Sequence, residues 1–243
     1  MQLSIIICTY NVGQRLKKTL DSILAQGEDC YEVIIVDGVS TDGTINVIES
    51  YQDKFGKKLL WSSEKDSGIY NAINKGVKLA NGEYLNIIGA GDWMEKDVLN
   101  KVYKRILQNN NPDVVYGKTR VWNAEMTTSY VKQTLPETLS KEPMQHPAMF
   151  YKRELHERFG LYDERYRIAS DYAFCLKSLS VGKVAVKIVP EIFCNFVTDG
   201  ISSKSRWLSL KEVTKIKQEC GIGTNFLKEV FLSTRLGKRL CHK

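Results

Sequence analysis

No stretch of this sequence stays apolar for the 18 or so residues that a helix needs to cross a bilayer, which excludes a membrane-spanning helix. The first apolar run ends by Cys8 with no basic segment ahead of it. That sets aside a secretory signal and leaves a cytoplasmic protein as the expectation. C-x-x-C is absent among the six cysteines, Cys8, Cys30, Cys175, Cys194, Cys220 and Cys241, and no spacing suits zinc. Several of them lie in apolar runs, where a free thiol behaves as a small hydrophobe, in keeping with a reducing compartment. Histidine is scarce, and His146, His156 and His242 show no metal-ligand spacing. Neither G-x-x-x-x-G-K-[ST] nor a complete G-x-G-x-x-G occurs, so the P-loop and the usual dinucleotide fingerprint are excluded. G-x-S-x-G is missing too, which argues against a Ser/His/Asp hydrolase. There is no low-complexity tract and no internal repeat.

What is present suits a soluble α/β protein. With 43% hydrophobic and 26% charged residues over 243 positions, the chain can bury a full core without staples. The formal net charge is +7, and its location matters more than its size. Residues 203–243 hold ten bases, Lys204, Arg206, Lys211, Lys215, Lys217, Lys228, Arg235, Lys238, Arg239 and Lys243. Only Glu212, Glu219 and Glu229 oppose them there, while the first 202 residues carry 25 charges of each sign. Such a cluster reads as a solvated helix face, or as a contact with an anionic membrane surface in which each nearby base adds ~1 kcal/mol. No RRM, KH or zinc-finger pattern accompanies it, so nucleic acid is not an expected partner.

Short apolar runs at 3–8, 33–36, 59–62, 84–88 and 113–116 read as buried strands. Between them, apolar residues recur at helical spacing: Leu16, Leu20 and Ile23; Ile45, Ile48 and Tyr51; Ile69, Ile73 and Val77; Val98, Val102 and Ile106. Strands alternating with helices predict βαβ units around a mostly parallel central sheet flanked by helices. The second part is less regular. A hairpin is expected within 121–131, helices at 153–159 and 170–179, strand at 183–196 broken by Pro190, and terminal helices at 203–219 and 225–240. A soft boundary falls near residue 117.

In such sheets ligands bind outside the carboxyl ends of the strands. The residues that follow the strands are Thr9, Tyr10, Asn11, Asp37, Gly38, Glu64, Asp66, Gly91 and Asp92, and they should converge on one edge. Asp37 ends a strand and can accept from a base or ribose, or simply form the turn. In Gly89-Ala90-Gly91-Asp92 the glycines let a ligand approach the backbone, and Asp92 is either a ligand for a hard dication bridging phosphates or a helix cap. Asp171 opens an apolar helix, as a general base for an attacking hydroxyl or as an acid stabilised by the helix dipole.

Taken in order, these stretches resemble the family 2 glycosyltransferases of GT-A fold, the small bacterial type that builds surface polysaccharides, over roughly residues 1–200. The opening strand with Thr9-Tyr10-Asn11 is similar to that family's base-binding loop, and the stretch from Asp37 to Thr44 to its second-strand signature. The most specific stretch is Glu64-Lys65-Asp66-Ser67-Gly68-Ile69-Tyr70-Asn71, continuing to Gly76. The resemblance implies a Rossmann-like nucleotide-sugar half at 1–117, an acceptor-side half of the same domain at 118–202, and basic helices at 203–243. It implies nucleotide contacts by Thr9, Tyr10, Asn11, Asp37, Gly38, Asp66, Gly68 and Asn71, with Glu64, Gly91 and His146 toward donor and acceptor. It makes Asp171 the catalytic base of an inverting transfer. The family's D-x-D is reduced here to Ala90-Gly91-Asp92, so Mn²⁺ or Mg²⁺ would rest mainly on Asp92, donor phosphates and water. The expected substrates are a nucleotide-sugar donor, UDP by family weight, and a glycan or polyprenyl-diphosphate-linked acceptor. The basic helices are the candidate contact with the inner face of the cell membrane. Two rivals are weighed: a nucleotidyltransferase, whose glycine-rich basic loop is poorly matched at 9–13, and a catalytically silent glycan- or partner-binding module. The loop at 198–203 is either a donor-covering flap or an ordinary surface loop.

Overall fold

A computed structural model describes residues 2–27, 30–180, 183–200 and 205–232. Four parallel strands form its first half: β1 (Leu3–Thr9), β2 (Tyr31–Asp37), β3 (Leu59–Ser63) and β4 (Tyr84–Ile87). Their continuous apolar runs follow from position. β1 lies between β2 and β4 with helices above and below, so Ile5, Ile6 and Ile7, like Val33, Ile34 and Ile35, are fully buried whichever way they point. The connecting helices are α1 (Arg15–Leu24), α2 (Thr44–Ser50), the single turn α3 (Gln52–Phe55) and α4 (Ile69–Leu79). α4 packs on β1 and β2.

The sheet runs β3-β2-β1-β4 and continues into antiparallel and mixed pairings. After β4 come the two-residue β5 (Trp93–Met94), α5 (Val98–Gln108), β6 (Val114–Trp122), β7 (Ser129–Lys132) and β8 (Met149–Lys152). Then follow α6 (Glu154–Phe159), α7 (Ser170–Ser180) and β9 (Val186–Val197). β8 pairs antiparallel with β4 and with β6, β9 pairs parallel with β6, and β5 closes the edge against β9. The expected hairpin is β6–β7. β6 runs straight through residue 117, so both halves share one sheet and one core. Pro190 does not end its strand. The pairing slips from Tyr116↔Ile188 to Lys118↔Ile192, and this bulge absorbs the missing N–H.

The terminal helices α8 (Arg206–Glu219) and α9 (Phe226–Leu232) are joined to this body through buried polar bonds. Lys217, 1% exposed, pairs with Glu229 at 2.9 Å and donates to the Lys141 carbonyl at 3.3 Å. The stretches of the expected terminal helix beyond Leu232, and of the 198–203 loop beyond Gly200, lie outside the described residues.

Candidate active site

β1 leads through α1 to β2 on one side and, later in the chain, has β4 on its other side. The carboxyl ends of these strands therefore open the crevice that such sheets use for ligands. Asp37 sits there, fully buried, inside a ring of donors. Its Oδ1 accepts from the Thr9 and Ser40 hydroxyls at 2.8 and 2.5 Å, and its Oδ2 from the Ser40 N–H and the Ser63 hydroxyl, both at 2.8 Å. Burial alone would raise its pKa, but the bonds from Ser40, Thr9 and Ser63 prevail and hold it below the usual carboxylate range. Asp37 thus ties β1, β2 and β3 together at the crevice floor. Near it lie the exposed Tyr10 and Asn11 and the half-buried Asp66. Asn11 adopts a left-handed φ of 50° and bridges to the opposite loop, accepting from the Thr41 N–H and donating its own N–H to Ser40. A Cβ on Gly38 would lie 2.6 Å from Asp66 Oδ2 and 3.3 Å from the Tyr10 ring, so only glycine leaves room there. Asp66 accepts the Gly68 N–H at 2.9 Å, which shapes the turn into α4. Glu64 is more peripheral: it pairs with Lys75 at 3.3 Å and is half exposed.

Asp92 lies on the adjoining loop, and its neighbours explain the G-A-G-D spelling. A Cβ on Gly89 would come within 2.7 Å of Asp92 Oδ2. Gly91 has φ 105°, and a Cβ there would meet the Arg15 guanidinium at 2.8 Å. No helix follows Asp92; the chain enters β5, and pairing with β9 brings the Val197 N–H to Asp92 Oδ1 at 3.0 Å. Oδ2 accepts no hydrogen bond from a described residue. Burial pushes the Asp92 carboxyl up to about 7; Asp199 adds to this, whereas the Val197 bond, Arg15 and Lys18 oppose it. Arg15 itself bonds Asp199 at 2.8 Å, and the Lys18 ammonium stands over the Trp93 ring.

Asp171 is tied to α4 by the Tyr70 hydroxyl. Tyr70, two residues after Gly68, donates to Asp171 Oδ1 at 2.9 Å and lies 2.6 Å from the Ile168 carbonyl. The Tyr172 N–H also reaches Oδ1, at 2.9 Å, which leaves Oδ2 without a bond from any described residue. Asn71 and Ser67 donate to Glu164 Oε2 at 3.0 and 3.3 Å, and Asn74 donates to Glu164 Oε1 and the Tyr162 carbonyl. Asn71, expected on the nucleotide side, thus gives one amide N–H to Glu164. From behind, the buried Glu212 of α8 accepts the N–H groups of Arg167, Ile168 and Ala169 at 2.8, 2.9 and 3.0 Å. That carboxylate fixes the turn on which Asp171 begins its helix. His146 occupies a single helical turn before β8, held because Asn86 of β4 donates to the carbonyls of Pro147 and Met149 at 3.0 and 2.9 Å. Its Nε2 is 2.8 Å from the Tyr162 hydroxyl.

The model of the family described as "Glycosyl transferase family 2" matches residues 4–177, most of the chain and every residue just described up to Asp171. The chain belongs to glycosyl transferase family 2. Among relatives of this glycosyltransferase is the PGL/p-HBAD biosynthesis glycosyltransferase of Mycobacterium bovis BCG, 33% identical over 240 residues, covering 98% of this chain and 87% of that protein. Staphylococcus aureus TarS 1-349 in complex with UDP-GlcNAc superposes with a TM-score of 0.77 at 19% identity, covering 98% and 72% of the two chains. The mannosyltransferase PcManGT of Pyrobaculum calidifontis, in complex with GDP-Man and Mn²⁺, superposes with a TM-score of 0.71 at 20% identity, covering 92% and 65%. At such identities the structural likeness establishes the GT-A fold of this glycosyltransferase.

A hard dication fits the Asp92 loop of this glycosyltransferase in one way only. Among the described residues no three His, Cys, Asp or Glu side chains cluster to hold a metal. Asp92 does present one unbonded carboxylate oxygen whose buried charge is disfavoured without a cation, so the residues fit an ion ligated mostly by diphosphate and water. Tyr70, Glu164, Glu212 and the Arg15–Asp199 pair are absent from the sequence-based candidates. Tyr70 lies in the motif stretch itself and was there to be found. Glu164 and Glu212 act on residues 90 and 45 positions away, and no local pattern marks them.

Proposed function

We propose that this glycosyltransferase moves a sugar from a nucleotide-diphosphate donor, a UDP-sugar, onto a hydroxyl of a glycan or lipid-linked glycan in surface polysaccharide assembly, with inversion. The observation that carries this reading is the link Asp66–Gly68–Tyr70–Asp171. It joins the loop beside the nucleotide-side residues Asp37 and Tyr10 to a carboxylate with one oxygen free for substrate. Relatives named for PGL/p-HBAD biosynthesis, and the UDP-GlcNAc complex of a structural neighbour, support the substrate class.

The reaction is one displacement. The acceptor oxygen attacks the anomeric carbon, its proton passes to Asp171 Oδ2, and the bond to the nucleoside diphosphate breaks with its electron pair on the departing oxygen. Tyr70 and the Tyr172 N–H fix the carboxylate so that Oδ2 alone is presented. Asp92 is the residue that would hold Mn²⁺ or Mg²⁺, and a bound dication would supply neutralisation of charge on the leaving diphosphate. Tyr10, Asn11, Gly38 and Asp66 would line the nucleoside, with Thr9 and Asp37 beneath them as a fixed floor.

The acceptor side extends to a membrane in this reading. All three acids of α8 and α9 are engaged within the chain: Glu212 by backbone N–H groups, Glu219 by the Tyr166 hydroxyl, and Glu229 by Lys217. The exposed bases Arg206, Lys211, Lys215 and Lys228, with Glu219 beside Lys215, stand next to the exposed Trp207, Leu208 and Leu227, a composition suited to an anionic lipid surface. A thermal-shift screen of nucleoside diphosphates with and without Mn²⁺ tests the donor site, since ligands of the native state raise its stability by mass action. A shift for one nucleotide that grows with metal is expected, and no shift for any nucleotide in a folded sample would favour the silent binding module. Sedimentation with vesicles containing phosphatidylglycerol tests the surface, and equal recovery with neutral vesicles would reject it.

A further inference from the structure

Behind Asp171 runs a buried chain of polar side chains whose hydrogen bonds have only one consistent direction. It begins at the Gly160 carbonyl, which can only accept, 3.1 Å from His156 Nδ1. His156 must therefore carry its proton on Nδ1. Burial holds its pKa down at about 4, so the ring is neutral near pH 7 and Nε2 is an acceptor. The Tyr151 hydroxyl, 3.1 Å from that Nε2, must donate to it. Its oxygen then accepts from the Tyr162 hydroxyl at 2.7 Å, and the Tyr162 oxygen in turn can only accept from His146 Nε2 at 2.8 Å. His146 is thus protonated on Nε2. Burial depresses its pKa as well, against the pull of Asp171, so Nδ1 is left as a bare lone pair. No described residue bonds that nitrogen, and the residue, 7% exposed, lies near enough to Asp171 to feel its charge.

We propose that His146 is a positioning residue whose Nδ1 accepts a hydrogen bond from a hydroxyl of the carbohydrate acceptor, in a tautomer dictated by the Gly160 carbonyl through His156, Tyr151 and Tyr162. The substrate assignment rests on the glycosyl-transfer reading of the cleft; the tautomer does not. A neutral imidazole held this way orients an acceptor hydroxyl without competing with Asp171 for its proton. The aromatic packing around it keeps the ring from turning: His146 meets Tyr162 edge-on at 5.6 Å between centroids, and Tyr162 packs on Tyr70 at 5.8 Å.

The test is the histidine ring-nitrogen spectrum of the ¹⁵N-labelled full chain near neutral pH, assigned with a His242→Gln control. The expected result is two opposite tautomers in one protein, His156 protonated on Nδ1 and His146 on Nε2. A His146 protonated on Nδ1 would overturn the proposal. Tyr151→Phe, which keeps the ring packed 5.8 Å from His146 and removes only the hydroxyl, frees the Tyr162 hydroxyl to donate toward His146. It should mix the His146 tautomers and lower kcat/KM for methyl glycoside acceptors about tenfold, mainly through KM. An unchanged His146 tautomer in a Tyr151→Phe protein that unfolds cooperatively would also overturn the proposal. A tautomer shift with unaltered acceptor KM would remove the substrate contact. Absence of any transfer by the wild type would instead reject the glycosyl-transfer reading and leave the tautomer result standing.

Discussion

Replacing Glu212 by alanine should damage the turn ahead of Asp171 from 43 to 45 residues away in sequence, and the size of the effect follows from its three bonds. The carboxylate accepts the consecutive N–H groups of Arg167, Ile168 and Ala169 within 2.8–3.0 Å. Hydrogen bonds to a charged partner contribute about 1.5–3 kcal/mol each. Two of these donors sit at a partly buried rim where water can replace the carboxylate, and the Ala169 N–H is buried, so the net loss should be about 3 kcal/mol. Glu212→Gln keeps an acceptor oxygen but loses the charge, and should cost roughly half as much. Urea melts at constant m-value measure both. The same variants should lower kcat, because Asp171 follows directly on this turn. Donor affinity should hold, since none of the proposed nucleotide contacts Asp37, Asp66 and Tyr10 bonds this turn. A Glu212→Ala protein within about 0.5 kcal/mol of wild type, or one that loses donor affinity as much as kcat, would refute this reasoning.

Asp92→Asn should keep the Val197 N–H bond while removing a disfavoured buried charge, leaving the melting temperature at pH 8 equal or higher; the metal-dependent part of the nucleotide-induced thermal shift should vanish, and its persistence would take Asp92 out of the site. Gly91→Ala would force a side chain into a left-handed conformation 2.8 Å from the Arg15 guanidinium, which should cost about 1–3 kcal/mol in a denaturant melt; a neutral effect would mean that the loop readily rearranges. His156 makes the fold sensitive to acid. Its folded value of about 4 lies below its unfolded one near 6.5, so its contribution is complete above pH 6.5 and is lost as pH falls toward 4. The loss should amount to about 3 kcal/mol, and a stability profile flat over that window would contradict the buried neutral ring.

The strands of the first half were readable because β1 and β2 are buried on both faces and spell unbroken apolar runs, and because Thr9 and Asp37 stand where those runs stop. β5 was not readable. Two residues carry no period, and only β9, about a hundred positions later, makes them a strand. This changes the meaning of Asp92, which looks like a helix cap locally but is in fact aimed by Val197. The tail shows the limit of composition. Its excess of bases is plain, yet Glu212 and Glu229 turn inward and Lys217 is buried with them, so what reads as an appended charged segment is also the support of the Asp171 turn.

Nucleoside diphosphate release from UDP-sugars in the presence of Mn²⁺ and a methyl glycoside, measured for wild type and Asp171→Asn, tests the central claim most directly. The account predicts turnover by the wild type and loss of transfer by Asp171→Asn, with the donor-induced thermal shift retained. Comparable turnover by the two proteins would contradict it.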